Sequence, residues 1–244
     1  MSKKDWFEAW FDTSYYHSLY QNRNEEEAEN FVQNLSDFLN LPTDSKVVDL
    51  ACGKGRHSIT LNKIGYDVLG VDLSENSISI AKEFENEKLK FEIHDMREML
   101  DQNNVQAVFN LFTSFGYFDK LKDNEKVIAS VKEMLAKNGW FVIDFMNSQK
   151  VINNLVYSES KIVDSIKYNI SREYTGTHIL KHIRFQDGSK NFDFTEKVQA
   201  LKLSDFKQLL AKNRFEIIRT FGDFNLNDFD EESSDRLIII ARKK

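Results

Sequence analysis

Residues 47–58 read Val-Val-Asp-Leu-Ala-Cys-Gly-Lys-Gly-Arg-His-Ser. An apolar run carries one acid, Asp49, at its end, and a tight turn with glycines at positions 53 and 55 follows. Glycines at such a turn let the backbone pass close to a ligand, because no side chain stands in the way. The residues after the turn are able to begin a helix. The stretch therefore predicts a strand, a ligand-binding turn and a helix, in that order.

A second acid, Asp72, ends the next apolar run and follows Gly53 by 19 residues. An acid at this distance is placed to hold ribose hydroxyls. The pattern fits a nicotinamide dinucleotide badly, because Ser58 stands where the third glycine of that fingerprint belongs. Asp49 would also put negative charge where phosphates bind. An acid there suits a ligand with a positive group, so a nicotinamide oxidoreductase is the least favoured reading.

The string at residues 48–55, Val-Asp-Leu-Ala-Cys-Gly-Lys-Gly, resembles the first motif of class I S-adenosylmethionine-dependent methyltransferases. The cofactor of that family, S-adenosylmethionine, has an ammonium, a sulfonium and a ribose but no phosphate. The resemblance covers about residues 15 to 242. It implies a Rossmann-like methyltransferase fold and S-adenosylmethionine as the cofactor.

Bulk properties narrow the class of protein. The chain has 244 residues and a formal net charge of -6, and its basic residues do not cluster. Both features argue against nucleic acid as a partner. The single cysteine excludes an internal disulfide and fits the reducing cytoplasm. No apolar stretch is long enough for a signal peptide or a membrane span. We expect a cytoplasmic monomer or homodimer without a membrane partner.

Strand and helix signals alternate from residue 47 to about 147, which is typical of a parallel sheet. Ser74 is expected to cap a helix, and Gly65 and Gly139 to end helices. An amphipathic helix is expected before the first strand, at residues 24–40. The predicted strands are 46–50, 67–71, 89–93, 105–112 and 139–145, and the predicted helices between them are 56–64, 75–86 and 122–137.

After residue 147 the pattern becomes antiparallel. Strands are expected at 161–174, 178–186 and 191–202, with a hairpin turn at Asp187-Gly188. A helix at 204–213, capped by Ser204 and stopped by Asn213, precedes strands at 215–221 and 235–242. The predicted fold class is α/β, with a doubly wound, seven-stranded, mostly parallel sheet and a small antiparallel β insertion. We expect residues 1–244 to form a single methyltransferase domain, with an N-terminal lid and helix at 1–40 and the insertion at 155–202 over the active site.

Cofactor-binding residues follow from the strand ends and from the resemblance. Asp49 and the backbone of the turn would hold the methionine part, Asp72 the ribose, and Leu73 the face of the adenine. Asp95 would accept from the adenine amine and the Met96 amide would donate to a ring nitrogen, while Arg23 would bind the methionine carboxylate. The full predicted set is Tyr20, Arg23, Asp49, Ala51, Cys52, Gly53, Gly55, Asp72, Leu73, Asp95, Met96 and Phe112.

Two tyrosines are the candidate catalytic residues. The segment 110–118, Asn-Leu-Phe-Thr-Ser-Phe-Gly-Tyr-Phe, lacks the Asn-Pro-Pro-Tyr type of motif of nucleic-acid amino-methyltransferases. It resembles a segment of the methyltransferases that dimethylate amino sugars, which implies that Tyr117 faces the substrate. The run 15–23 resembles the lid of that family and implies that Tyr16 lies at the methyl-transfer channel. The alternative for both tyrosines is a packing role.

Two further patterns remain open. His178, His182 and Arg184 share one strand face by period two and either roof the acceptor pocket or form a solvated outer face. The histidines and Cys52 have no convincing metal-ligand spacing, so no metal is expected.

The favoured function is methyl transfer to a nitrogen or oxygen of a small-molecule acceptor. The alternatives are a methyltransferase of protein or tRNA, and a non-catalytic S-adenosylmethionine-binding protein.

Overall fold

The computed structural model describes residues 6–20 and 25–244. In the order of the chain its helices are α1 (Trp6–Phe11), α2 (Ser14–Leu19), α3 (Glu25–Leu39), α4 (Arg56–Ile64), α5 (Glu75–Ala81), α6 (Leu121–Met134), α7 (Ser148–Asn153) and α8 (Leu203–Lys212). Its strands are β1 (Lys46–Leu50), β2 (Asp67–Asp72), β3 (Leu89–Ile93), β4 (Val105–Asn110), β5 (Leu135–Met146), β6 (Ser158–Val163), β7 (Ile166–Tyr174), β8 (His178–Asp187), β9 (Lys190–Gln199), β10 (Phe215–Phe221) and β11 (Arg236–Lys243).

Seven strands form the main sheet, in the order β3-β2-β1-β4-β5-β11-β10. From β3 to β5 in this order, each strand pairs in parallel with the next, and β11 is antiparallel to both of its neighbours. The strand order reverses between β1 and β4, and ligands of open α/β sheets bind at this point, outside the carboxyl ends of the strands. The predicted seven-stranded, mostly parallel sheet is confirmed.

The main sheet is buried on both faces, as a parallel sheet requires. Its central strands are almost continuously buried, and two apolar clusters lie on its opposite faces. One contains Val48, Val108 and Ile143, and the other contains Val47 and Phe109. This packing fixes the strand ends, and with them the side chains that follow each strand.

A second sheet of four antiparallel strands, in the order β6-β7-β8-β9, follows α7. The predicted single strand at 161–174 is wrong, because a tight turn at Asp164-Ser165 divides it into β6 and β7. Both turn residues have positive φ, 48° and 66°, although neither is glycine. The sequence therefore carries no glycine signal for this hairpin. The turn at Asp187-Gly188 is confirmed, since it joins β8 to β9.

The described N-terminal helices pack on the second sheet. Trp10 is 1% exposed and belongs to an apolar cluster with Tyr168, Ile170, Ile183 and Phe185 of β7 and β8. The sequence did not predict this shared core, because its two halves are about 160 residues apart. Segment 6–20 therefore packs mainly on the second sheet, although Phe7 of α1 also contacts the core of the main sheet.

Three local predictions need correction. Gly139 lies inside β5, because α6 ends at Met134 and β5 begins at Leu135. A Cβ at Gly139 would meet the Ala136 carbonyl oxygen at 3.0 Å, so close packing requires glycine there. α5 ends at Ala81 and one 3₁₀ turn follows.

The third correction concerns the cap of α8. Asp205, rather than Ser204, caps it by accepting from the Lys202 backbone nitrogen at 2.8 Å. The caps at Ser74, Gly65 and Asn213 are confirmed. Across residues 6–20 and 25–244, no helix has the length and apolar character needed to span a bilayer.

Candidate functional site

The turn after β1 has a left-handed backbone at three residues. The φ angles are 64° at Ala51, 57° at Gly53 and 84° at Gly55. Backbone hydrogen bonds hold this conformation: the Cys52 nitrogen donates to the Val71 carbonyl at 2.9 Å, and the Gly55 nitrogen donates to the Cys52 carbonyl at 3.0 Å. Burial, together with nearby carboxylates, raises the pKa of the Cys52 thiol, which keeps it neutral.

The two glycines of the turn have different roles. A Cβ at Gly53 would meet nothing within 4 Å, so this position faces open space beside the strand ends. A Cβ at Gly55 would lie 2.6 Å from the Phe91 ring, and one at Gly70 would meet the same ring at 2.6 Å. Gly55 therefore serves the packing of α4 against the sheet, and it does not line the cavity described below.

Asp72, at the tip of β2, is joined to two neighbouring backbone groups. Its Oδ2 accepts from the Gly53 nitrogen at 2.8 Å, and its Oδ1 accepts from the Ser74 nitrogen at 2.9 Å. Burial raises the pKa of this carboxyl group, and the two backbone hydrogen bonds oppose that rise. The carboxylate is thereby fixed at the carboxyl edge of the sheet.

Asp49 lies behind the turn. It is 1% exposed and does not line the cavity, which differs from the expected direct contact with the methionine part. Its Oδ2 accepts from the Ser58 hydroxyl at 2.6 Å. Burial raises the pKa of Asp49 to about 6, and the Ser58 hydrogen bond opposes the rise. Ser58, which departs from the dinucleotide pattern, is thus the hydrogen-bond partner of this acid.

Asp95 is paired with an arginine that the sequence reading did not use. The Arg97 guanidinium donates to both carboxylate oxygens, with Nε to Oδ1 at 3.0 Å and Nη2 to Oδ2 at 2.6 Å. Hydrogen bonds and charge from Arg97 hold the pKa of Asp95 below its ordinary value, against the effect of partial burial. The Arg97 guanidinium also lies 5.0 Å from the centre of the Phe118 ring. Asp95 is therefore an ionised acceptor held in one orientation.

The loop after β4 is strained and braced. Phe112 and Thr113 have φ angles of 66° and 60°, a conformation that costs free energy in residues with side chains. Asp144 Oδ2 accepts from the Phe112 nitrogen at 2.8 Å, and the Asp144 carbonyl accepts from the Thr113 nitrogen at 3.0 Å. Arg236 pairs with the Asp144 carboxylate at 2.7 Å and donates to the Thr113 hydroxyl at 2.7 Å. This buried network sets the direction of Phe112.

A cavity of about 490 Å³ lies over the carboxyl edge of the sheet. This volume is within the range of small-molecule sites. Its walls come from the turn after β1, the ends of β2 to β4, and helices α1 and α2. Of the predicted site residues, the cavity is lined by Tyr16, Tyr20, Ala51, Cys52, Gly53, Asp72, Leu73, Asp95, Met96, Phe112 and Tyr117. Arg23 lies outside the described residues.

Aromatic rings from the N-terminal helices close one end of this cavity. The centres of the Phe11 and Tyr16 rings are 4.7 Å apart, and those of Phe11 and Tyr117 are 5.3 Å apart. The Trp6 indole nitrogen donates to the Tyr117 carbonyl at 3.3 Å. Both candidate catalytic tyrosines therefore face the cavity within one packed aromatic group.

Of the two alternatives for His178, His182 and Arg184, the structure does not favour a roof over the pocket, because none of the three lines the described cavity. His182 contacts the Thr195 hydroxyl, and Arg184 pairs with Asp193 in an exposed ion pair. The opposite face of β8 turns toward α1 and α2: Ile183 and Phe185 pack in the cluster with Trp10, and Lys181 contacts the Tyr20 hydroxyl. His182 and Arg184 therefore lie on the outer face of the second sheet, because Ile183 and Phe185, at the alternate positions, belong to the core shared with Trp10.

Sequence reasoning missed several cavity residues. Lys54 lies within the glycine turn and Arg56 begins α4, and both line the cavity, as do Phe7 and Phe11. Lys54 lay inside the quoted motif, but a single basic residue there gave no signal of its role. Among the residues that the structure describes, no group of three or more His, Cys, Asp or Glu side chains is placed to hold a metal ion.

The chain is similar to methyltransferases in both sequence and structure. Residues 41–188 match the family model described as a methyltransferase domain. A Bacillus subtilis (strain 168) protein assigned as a methyltransferase, YqeM, is 27% identical over 216 residues, which is 83% of this chain and 86% of that protein. A dTDP-3-amino-3,4,6-trideoxy-alpha-D-glucopyranose N,N-dimethyltransferase of Streptomyces venezuelae is 25% identical over 169 residues, covering 66% of this chain and 70% of that one.

A solved structure shares the fold over nearly the whole chain. The S-adenosylmethionine-dependent methyltransferase from Clostridium acetobutylicum ATCC 824 superposes with a TM-score of 0.79 at 19% identity. The match covers 94% of this chain and 96% of that one.

Proposed function

This chain belongs to the class I S-adenosylmethionine-dependent methyltransferases, and we propose that it transfers the methyl group to a nitrogen or oxygen of a small-molecule acceptor. One observation carries the proposal: a single cavity of about 490 Å³ joins the cofactor turn to an aromatic wall from α1 and α2. The N,N-dimethyltransferase relative, which acts on an amino sugar nucleotide, supports nitrogen over oxygen.

The residues at the sheet edge suit S-adenosylmethionine, the methyl donor of this enzyme. Position 53 has open space where a side chain would stand, so the backbone is accessible to a ligand. Asp72 would accept from the ribose hydroxyls, and Leu73 and Met96 would contact the adenine. Asp95 would accept from the adenine amine by its remaining lone pairs, since a carboxylate offers about four.

Asp49 would act on the cofactor through charge rather than through contact. Its buried carboxyl group lies under the turn that would receive the methionine part. In a low-dielectric site a carboxylate favours a positive ligand group over several ångströms. We propose that Arg23 and the cavity residue Arg56 serve the methionine carboxylate, because a guanidinium fork matches that group.

Positioning accounts for the catalytic part of the proposal. When bound, S-adenosylmethionine supplies an electrophilic methyl group on its sulfonium. Tyr16 and Tyr117 would orient the acceptor atom toward that group, and the rings of Phe11 and Phe118 would exclude water. An acceptor amine with a pKa near neutrality can release its proton to water, so a dedicated strong base is not required.

Direct binding and transfer assays test the proposal. S-adenosylhomocysteine should bind with a dissociation constant in the micromolar range, which corresponds to a binding free energy of about -8 kcal/mol. NAD should not bind. Incubation with labelled S-adenosylmethionine and separate pools of metabolites, tRNA and protein should label the metabolite pool. Label in tRNA or protein instead would contradict a small-molecule acceptor, and binding without transfer to any pool would favour a non-catalytic protein.

We also propose a cytoplasmic location for the enzyme. Cys52, the single cysteine of the chain, is a buried free thiol. Cytoplasmic proteins keep their thiols reduced. Fractionation with a cytoplasmic marker enzyme tests this location.

A further inference from the structure

A buried polar cluster joins the N-terminal helices to the insertion. Its members are Glu196 of β9, Lys181 of β8, Trp10 of α1 and Tyr20 at the end of α2. Glu196 and Lys181 face each other in the register of β8 and β9, with side chains only 15% and 17% exposed. The cluster lies behind the cavity wall, and Tyr20 is the member that lines the cavity.

Glu196 receives a hydrogen bond from each N-terminal helix. The Trp10 indole nitrogen donates to its Oε1 at 2.8 Å. The Tyr20 hydroxyl lies 2.7 Å from Oε1 and 2.9 Å from Oε2. Hydrogen bonds to an ionised acceptor are stronger than those between neutral groups, so one carboxylate holds two separate parts of segment 6–20.

Lys181 completes the cluster. Its Nζ lies 3.5 Å from Glu196 Oε2, contacts the Tyr20 hydroxyl and lies 4.6 Å from the centre of the Tyr20 ring. Burial lowers the pKa of Lys181, and the charge of Glu196 opposes that effect. A buried carboxylate without a cation would be costly, so Lys181 makes the position of Glu196 tenable.

We propose that Glu196 and Lys181 of the insertion are positioning residues that hold Tyr20, and with it the aromatic wall, against the cofactor end of the cavity. The Tyr20 and Tyr16 rings are 4.9 Å apart, and the Tyr16 ring packs on Phe11, so displacement of Tyr20 disturbs the whole wall. The insertion therefore acts on the methyl-transfer site without lining it. This inference rests on the proposed function of the cavity as the methyl-transfer site.

Variants at residue 196 test the inference without a known acceptor. In Glu196→Ala the N-terminal helices lose both hydrogen bonds, so only a fraction of molecules keep the wall in place, and apparent affinity falls by that fraction. We expect S-adenosylhomocysteine affinity, measured by calorimetry, to fall about tenfold or more. Glu196→Gln keeps an acceptor for Trp10 and Tyr20, and should recover affinity to within about threefold of the wild type.

Asp193→Ala is the matched control. Asp193 lies on the same strand and pairs with Arg184 of β8 in the same register, but 59% of its side chain is exposed on the outer face. Asp193→Ala should leave the S-adenosylhomocysteine affinity within about twofold of the wild type, because exposed ion pairs contribute little stability. Tryptophan emission, to which Trp10 contributes together with Trp6 and Trp140, should shift in Glu196→Ala and stay unchanged in Asp193→Ala.

Equal S-adenosylhomocysteine affinity in folded Glu196→Ala and Asp193→Ala would overturn the inference while the proposed function stands. A wild-type protein that does not bind S-adenosylhomocysteine would overturn the proposed function, and the inference with it. If Glu196→Ala does not fold, Lys181→Met removes the cation that contacts both Glu196 and the Tyr20 hydroxyl, outside the cavity lining. Weaker binding in that variant supports the inference, and unchanged binding overturns it.

Discussion

The carboxylate of Asp72 accepts a hydrogen bond from the backbone nitrogen of Gly53 at 2.8 Å, which joins the tip of β2 to the turn that follows β1. The two residues come from motifs that the sequence presents as separate signals. Their contact shows that the acid braces the glycine turn, and its side chain also lines the cavity, where we propose that it binds the ribose. The first prediction separates these functions.

Asp72→Ala should weaken S-adenosylhomocysteine binding by about 1.5–3 kcal/mol, the range for hydrogen bonds to a charged group. Its effect on unfolding should be small, because the loss of two backbone hydrogen bonds is offset by removal of a buried charge. Calorimetry and urea denaturation measure the two effects. Asp67→Ala, at the opposite end of β2, is the control and should leave the affinity unchanged. A large loss of stability with normal affinity would show that the acid is structural.

Asp49 should make the stability of the fold depend on pH. Its folded-state pKa of about 6 lies above the ordinary value of 3.8, so the folded protein binds this proton more tightly than the unfolded chain. The contribution of Asp49 to stability is therefore fully present below pH 3.8 and is lost as the pH rises through 6.

Asp49→Asn cannot ionise, and its side chain keeps an acceptor for Ser58. The unfolding free energy of the variant minus that of the wild type should rise by on the order of 2–3 kcal/mol as the pH is raised from 4 to 7. Urea denaturation at several pH values measures this difference, in which groups common to both proteins cancel. A difference that does not change with pH would contradict the raised pKa.

The pair of Asp144 and Arg236 should be essential to the fold. Asp144 is fully buried, and burial raises its pKa while the Arg236 charge opposes that rise. Arg236→Met leaves a buried carboxylate without its cation and should cost about 3–5 kcal/mol of unfolding free energy. Adding Asp144→Asn to this variant should restore part of the loss, because the unpaired charge is removed.

Arg242→Met provides the comparison on the same strand. Arg242 stacks on Trp140 at 4.9 Å and donates to a backbone carbonyl near the surface. Its replacement should cost less than about 1 kcal/mol. If both arginine variants unfold at the same urea concentration, the buried pair does not support the loop at Phe112 and Thr113.

The segment at residues 12–20 should respond to the cofactor. It lines the cavity through Tyr16 and Tyr20 and contributes nothing to the core of the main sheet. Amide hydrogen exchange in this segment should slow when S-adenosylhomocysteine is added, because closure over the ligand adds contacts. β4 and β5 serve as internal controls and should not change. High and identical protection of residues 12–20 in both states would show that they are a fixed part of the fold.

Local patterns made the cofactor end of the site readable from the sequence. The order of strand, glycine turn and helix around Gly53, and the acid at position 72, depend on residues close together in the chain. The same holds for the cap at Ser74 and the helix end at Gly65. Such features follow from backbone sterics and periodicity, so one sequence suffices.

Long-range contacts were not readable in the same way. Arg236 braces a residue 92 positions earlier, and Glu196 receives the Tyr20 hydroxyl across 176 positions. No periodicity marks such pairs. The assignment of Asp49 to the cavity differed from the structure for a related reason. The sequence places the acid at the strand end, but whether it points into the cavity or under the turn depends on Ser58, which lies in the next helix.

The shared core of Trp10 with β7 and β8 has a consequence for engineering. The N-terminal helices and the insertion are separated in the chain but share one core, so we expect them to be exchangeable only together. A chimaera that takes the insertion alone from a relative would place foreign side chains under Trp10 and leave an unmatched apolar surface. A chimaera designed to change the acceptor should therefore exchange both segments together and keep the main sheet unchanged.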